Sequence, residues 1–205
     1  MPRLLLLGTV AGPIFITVWL IQAFTRDGFD PTRHPMSLLS LGAAGWAQIA
    51  NFVVAGVLMI GFAIGLRRVL HPGRAGTWAP ILFAAHGVGL VLSGVFVTDA
   101  GAGFPAGAPA GAPESMSWHG VLHETGFGTA SAAWFAACFV LLRRFASDGR
   151  RGWVLACVVA PLAWVVVGAW PDLDSLSVRL VLGTAISFGF TAALGVALRP
   201  TAGDR

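Results

Sequence analysis

Six long apolar runs constrain this chain more than any other feature. A helix needs about 20 apolar residues to cross the hydrocarbon core of a bilayer. Backbone groups inside a membrane must be paired within the protein, which a helix achieves by itself. We therefore predict an all-α integral membrane bundle of six transmembrane helices, in a single domain over residues 1–205. The runs lie at about 4–24, 43–66, 77–98, 118–142, 153–170 and 178–198.

The composition supports a membrane class. Only 11% of the residues are charged and 56% are hydrophobic, whereas charged residues make up about 25% of soluble domains. Thirteen arginines provide all the basic side chains. They stand mostly singly or in pairs between the apolar runs, so we expect no binding of nucleic acid.

The arginines also predict the orientation of the bundle. With the N-terminus inside, ten of the thirteen fall in inner segments, and only Arg26, Arg33 and Arg179 fall in outer ones. Because inner loops of membrane proteins are rich in basic residues, this asymmetry predicts N-in/C-in. We expect a multi-pass protein of the bacterial plasma (inner) membrane.

Acidic and aromatic residues agree with that orientation. Tryptophan prefers the membrane interfaces: three predicted outer-side residues are Trp46, Trp118 and Trp170, and two inner-side ones are Trp78 and Trp153. Seven of the nine acids lie on the predicted outer side: Asp27, Asp30, Asp99, Glu114, Glu124, Asp172 and Asp174. The outer side is therefore where we expect a functional site.

Asp99, His119 and His123 form the strongest candidate cluster. The two histidines are four residues apart, hence on one face of the fourth helix and about 6 Å apart along its axis. Two imidazoles at this spacing can share a metal ion, and Asp99, at the end of the third helix, can supply an oxygen ligand. His34 or Glu124 would complete the set. A divalent metal such as zinc and no cofactor at all both remain open.

Two metal-free interpretations of this cluster also remain open. In the first, Asp99 is a proton donor or acceptor that the histidines tune, since an apolar surround can keep a carboxyl group partly protonated. In the second, Asp99 only accepts hydrogen bonds from an imidazole and from loop backbone, which fixes the corner between helices. No glutamate follows the first histidine directly, so the pattern is not that of a metalloprotease.

The surroundings of the cluster predict a covered pocket. Residues 99–117, the flap, consist largely of Gly, Ala and Pro and are predicted to be either flexible or ordered only by what lies beneath. Gln48 and Asn51 share a face of the second helix, where amides either bridge helices or line a polar pocket. Trp118 and Glu124 flank the histidines and are further predicted binding residues. His86 lies about 20 Å along the third helix from Asp99 and is expected to stand apart.

Three stretches carry a family resemblance: HPMSLLSLGAAGWAQIANFVVAG at 34–56, SGVFVTDAG at 93–101, and the start of the fourth helix at 119–126. Together they resemble a family of small six-helix bacterial and archaeal membrane proteins, the domain of unknown function numbered nine hundred and ninety-eight. The flap departs from that family's usual shorter loop. The resemblance implies a site but no chemistry, and its motif positions are His34, Pro35, Ser37, Trp46, Asn51, Phe52, Asp99 and one of His119 or His123.

These observations predict a pocket that opens to the outer leaflet between the second, third and fourth helices. The expected partner is a membrane lipid or another lipophilic small molecule, and the oligomeric state is left open. If the protein is an enzyme, it is an acid/base cyclase or isomerase of a prenyl-type substrate that uses Asp99, His119 and His123. The alternatives are a metal-dependent lipid hydrolase and a non-enzymatic structural or partner-binding membrane protein.

Overall fold

Six long helices make up most of the chain. A computed structural model describes residues 3–113, 115–171 and 175–199, and within these ranges it contains no β-strand. Four residues that enter the charge argument, Glu114, Asp172, Asp174 and Arg205, lie outside the described residues. The helices are α1 (Arg3–Thr25), α2 (Trp46–Leu70), α3 (Trp78–Val95), α4 (Trp118–Ser147), α5 (Arg151–Gly168) and α6 (Leu176–Ala197), with a short 3-10 helix at Met36–Ser40.

All six helices are long and apolar enough to cross a membrane. The predicted six-span, all-α class is therefore confirmed, and the chain is a multi-pass membrane protein. Several helix boundaries differ from the prediction: α2 is Trp46–Leu70 where 43–66 was predicted, and α3 and α4 also end at other residues. α3 ends at Val95, and Phe96 after it is extended. α4 continues to Ser147, and the chain turns only at Gly149, which has a positive φ.

The two ends of the bundle differ in their connections. We call the end that holds residues 26–45 and 96–117 the loop end. The opposite end, which holds residues 71–77 and 148–150, is the arginine end, and it has short turns. Exposed tryptophans lie at both ends of the bundle, as expected for a belt at each membrane interface. They are Trp46, Trp118 and Trp170 at the loop end, and Trp78 at the arginine end.

The helices form a ring. Each one packs against its neighbours in sequence, and α6 packs against α1. Glycines let helix backbones come close together, at Gly56 with Gly87 for α2 and α3, and at Gly89 with Gly126 for α3 and α4. α5 is the least enclosed helix, since Cys157 is its one buried residue. This ring leaves interior space at the loop end.

Candidate functional site

A cavity of about 740 Å³ lies inside the ring at the loop end. Cavities of about 300–1,000 Å³ are typical of small-molecule sites. The walls were predicted from α2, α3 and α4, and the structure adds a large contribution from α6. Wall residues are Phe15, Phe52, His86, Leu90, Ser93, His123, Phe127, Ala130, Ser131, Trp134, Trp164, Leu176, Leu180, Thr184, Ser187 and Phe188.

The connection between α1 and α2 and the described part of the flap form the roof of the cavity. Phe104 of the flap is buried in an aromatic cluster, with ring centroids 5.3 Å from Phe29 and 5.5 Å from His34. His34 Nε2 donates to Ala102 O at 3.1 Å, because its Nδ1 already accepts from the Asp30 N–H. The described part of the flap is thus docked, which agrees with the predicted lid ordered by what lies beneath.

Asp99 is bound to the start of α4. Its Oδ2 accepts from the Ser117 N–H at 2.8 Å, and Ser117 Oγ in turn accepts from the Gly120 N–H. A Cβ on Gly120 would collide with Asp99 Oδ2, so only glycine allows this approach. Hydrogen bonding from the Ser117 side chain, with a further contribution from its backbone, lowers the pKa of Asp99 despite an opposing effect of desolvation. Asp99 is therefore a carboxylate at neutral pH, which favours the acceptor over the donor in its predicted role as a proton donor or acceptor.

His119 and His123 both bind backbone carbonyls at the end of α3. His119 Nδ1 lies 2.7 Å from Val97 O, and His123 Nδ1 lies 2.8 Å from Ser93 O and 3.0 Å from Phe96 O. A carbonyl only accepts, so each Nδ1 carries a proton, and Nε2 is the ring nitrogen that can accept a hydrogen bond. His123 lines the cavity and His119 does not.

Three polar side chains deeper in the cavity were not predicted as site residues. His86 donates from Nδ1 to Ala130 O at 2.9 Å, which leaves its Nε2 as an acceptor. Ser93 donates to His123 O. Trp134 is 1% exposed, and its Nε1 has no partner among the described residues. The seven-residue spacing of His86 and Ser93 places both on one face of α3 and was the available sequence signal.

Comparison with known proteins gives a family for this arrangement. The family profile described as Protein of unknown function (DUF998) matches residues 9–198. The chain belongs to this family. No curated protein and no solved structure matches it significantly. Membership in DUF998 confirms the resemblance seen in the sequence and carries no activity, so function has to be argued from the cavity.

The predicted amides of this DUF998 protein join two helices. Asn51 Nδ2 donates to Phe15 O at 3.0 Å, and Gln22 Nε2 donates to Gln48 Oε1 at 2.8 Å. Both bonds connect α1 to α2. Gln48 and Asn51 are buried but do not line the cavity, so the geometry favours the helix-bridging interpretation of the pair.

The other predicted binding residues divide between the cavity and its surroundings. Ser37 and Glu124 line the cavity near its roof. His34 holds the roof together and is not a wall residue. Trp46 and Trp118 are 70% and 71% exposed and lie outside the cavity, as expected for interface anchors.

The predicted metal ligands are not brought together. Among the described residues, no group of three or more His, Cys, Asp or Glu side chains is placed to hold a metal ion. The reason is local: Asp99 faces the Ser117 N–H, and the Nδ1 atoms of the two histidines bind different carbonyls. The residues present therefore do not fit the predicted zinc site.

Proposed function

We propose that this DUF998 protein binds a lipophilic small molecule with a polar group in the interior cavity. The cavity itself carries the proposal, because its volume suits a small-molecule ligand and most of its wall is apolar. In a bilayer the most abundant molecules of this character are lipids. The runner-up is a structural or partner-binding membrane protein in which the same polar groups only hold helices together.

The polar groups in the wall indicate what the ligand carries. His86 and His123 keep Nε2 as the ring nitrogen that can accept, and Trp134, which also lines the cavity, has a buried Nε1 donor without a partner among the described residues. A buried acceptor or donor without a partner costs free energy. A ligand with a hydroxyl group matches this set, because a hydroxyl both donates and accepts.

The same groups indicate which of the predicted acid/base reactions the cavity supports better. Asp99, which was predicted as a proton donor or acceptor, is stabilised as a carboxylate by hydrogen bonding from Ser117. Nε2 of His123 is the better candidate for a proton acceptor, since its ring is fixed by two carbonyls and lines the cavity. An isomerisation initiated by proton removal is therefore better supported than an acid-initiated cyclisation, and binding without turnover is the simpler proposal.

Lipid content after purification tests the binding proposal. Ser131 lines the cavity, whereas its neighbour Ala132 is exposed and does not. We expect lipid to co-purify with the parent protein at close to one molecule per chain. Ser131→Phe fills the cavity and should lower that amount several-fold, while Ala132→Phe should leave it unchanged. Mass spectrometry of the extracted lipids provides the measurement.

Two outcomes would count against binding. One is a parent protein from which no lipid is recovered in a defined ratio. The other is equal lipid content in Ser131→Phe and Ala132→Phe with both variants folded, which would place the lipid on the outer surface of the bundle. Either result would favour the structural alternative.

A further inference from the structure

A second, smaller cavity lies beside the first. Its volume is about 330 Å³, and it is bounded by the C-terminal end of α5, the first turns of α6 and one residue of α4. Phe127, Trp164, Leu176 and Leu180 line both cavities. The two spaces are therefore neighbours that share a wall of four side chains.

The smaller cavity faces the membrane. Three of its apolar lining residues, Phe127, Val165 and Leu176, are 38%, 48% and 37% exposed. They belong to helices that cross the membrane, at the loop end of those helices. Apolar surface at that depth is in contact with lipid chains and not with water. We call this opening the lateral groove.

The wall between the two cavities includes one side chain from α5, that of Trp164. Trp164 packs edge-on against Phe135 of α4, with ring centroids 5.1 Å apart. On its other side the indole lies against Gly183 of α6, where a Cβ would come within 2.8 Å of Trp164 Nε1. Trp164 thus fills the gap between α4 and α6, and it is held by a helix with little buried surface.

The opposite approach, from water, is covered. The flap is anchored by the buried Phe104, by the bond from His34 to Ala102 O, and by a second bond from Arg33 to Ala110 O at 3.1 Å. Opening this roof would break all three contacts. Movement of the Trp164 indole would open the other wall without breaking any hydrogen bond that the structure records for that side chain.

We infer that the ligand is a chain-bearing membrane lipid that reaches the interior cavity sideways from the loop-end leaflet, through the lateral groove and past Trp164. This inference rests on the proposed binding function and adds the source of the ligand and its route. The occupant of the groove is an aliphatic chain, since the described groove lining is apolar apart from Arg179, whose guanidinium binds Gly168 O and Trp170 O.

Photolabelling from the bilayer tests the route. The full-length protein is placed in vesicles of phosphatidylcholine that contain a diacylglycerol with the free hydroxyl group proposed for the ligand and a diazirine at the end of one acyl chain. After illumination, labelled residues are mapped by peptide mass spectrometry. We expect label on Ser187 and Phe188, which line the interior cavity and are only 8% and 3% exposed, as well as on lipid-facing residues such as Val57.

Matched variants separate the groove from the rest of the surface. Leu180→Trp fills the groove, and Leu182→Trp adds the same side chain at a 47% exposed position on the same helix outside both cavities. We expect Leu180→Trp to reduce label on Ser187 and Phe188 by about tenfold, and Leu182→Trp to leave it unchanged. Leu180 also lines the interior cavity, whereas Ala169 lines the groove alone. Ala169→Trp must therefore reduce the label on Ser187 and Phe188 as well, and a loss confined to Leu180→Trp would overturn the lateral route.

The possible failures are distinguishable. Equal label on Ser187 and Phe188 in the parent, Leu180→Trp and Ala169→Trp would overturn the lateral route and leave ligand binding intact. No label on these residues in the parent would overturn the lateral route, and the binding proposal would fail with it only if no lipid co-purified with the parent protein. If Val165 and Leu176 stay unlabelled while Val57 is labelled, lipid does not reach the groove, as expected where a second copy of the chain covers it, and the lateral route is again wrong.

Discussion

Single residues at this site act mainly through backbone contacts, and Asp99 shows the consequence for stability. Its carboxylate accepts from the Ser117 N–H at the N-terminus of α4, where a negative charge is favourable. We expect Asp99→Asn, which keeps an acceptor but loses the charge, to lower the free energy of unfolding by about 0.5–1 kcal/mol. Asp99→Ala should cost roughly 1–2 kcal/mol. Thermal unfolding in detergent measures both variants.

The lowered pKa of Asp99 also predicts a pH dependence. A carboxyl group whose pKa is lower in the folded state stabilises the fold above its ordinary pKa, near about pH 4, and loses this contribution as the pH falls through the lowered value. The difference in melting temperature between the parent and Asp99→Asn should therefore be constant from neutral pH to about pH 5 and shrink below about pH 4. A difference that persists unchanged at about pH 2 would contradict this account.

The sequence could locate the candidate residues but not their partners. The spacing of His119 and His123 places both on one face of α4, yet only His123 reaches the cavity. The difference arises because the chain is extended after Val95, which brings Val97 O against His119. His86 was predicted to lie apart from the site, because it is far from Asp99 along the helix. Both residues nevertheless line the same cavity, because the cavity extends over that distance.

At the scale of helices, hydropathy was sufficient to find every span and less able to find the ends. α4 passes through Arg143 and Arg144 without a break, since the guanidinium of Arg144 donates to Arg74 O in the neighbouring turn and that of Arg143 lies over the ring of Phe139. α3 ends early because the imidazole of His123 binds Ser93 O and Phe96 O. Such tertiary capping involves residues that are about thirty positions apart, so no local pattern encodes it.

Close packing of α3 on α4 predicts a sharp contrast between two glycines of α4. A Cβ on Gly126 would come within 2.7 Å of Gly89 O and of Ser93 Oγ, whereas a Cβ on Gly128 would meet nothing within 4 Å. Gly126→Ala should therefore cost about 1–3 kcal/mol by overpacking. Gly128→Ala should be neutral or stabilise by up to about 1 kcal/mol through helix propensity.

Unfolding in detergent by heat or by a denaturing detergent compares the two variants. The substitution is the same, the positions are two residues apart, and both lie in the N-terminal half of α4. Equal melting temperatures for Gly126→Ala and Gly128→Ala would mean that α3 and α4 do not approach as closely as described.

At the scale of the whole molecule, the ring decides which helices form the site. Adjacency in sequence predicted walls from α2, α3 and α4, because antiparallel neighbours joined by a loop lie side by side. The contribution of α6 follows from its packing on α1, which closes the ring. Closure depends on contacts between the two ends of the chain, and no motif in the sequence indicates them.

The orientation of this ring in the membrane is the remaining prediction, and it determines which leaflet the lateral groove faces. Ala106 lies in the exposed flap at the loop end and Ser147 is exposed at the arginine end, while both native cysteines are buried in membrane helices. The excess of arginine at the end that holds Ser147 predicts that this end is inside. A membrane-impermeant maleimide should therefore label Ala106→Cys in intact cells, and label Ser147→Cys only after lysis. The unsubstituted protein should remain unlabelled in both conditions. The reverse labelling pattern would mean that the bundle has the opposite orientation. The cavity would then take lipid from the inner leaflet, and the basic turns would lie outside, away from the anionic headgroups of the inner leaflet.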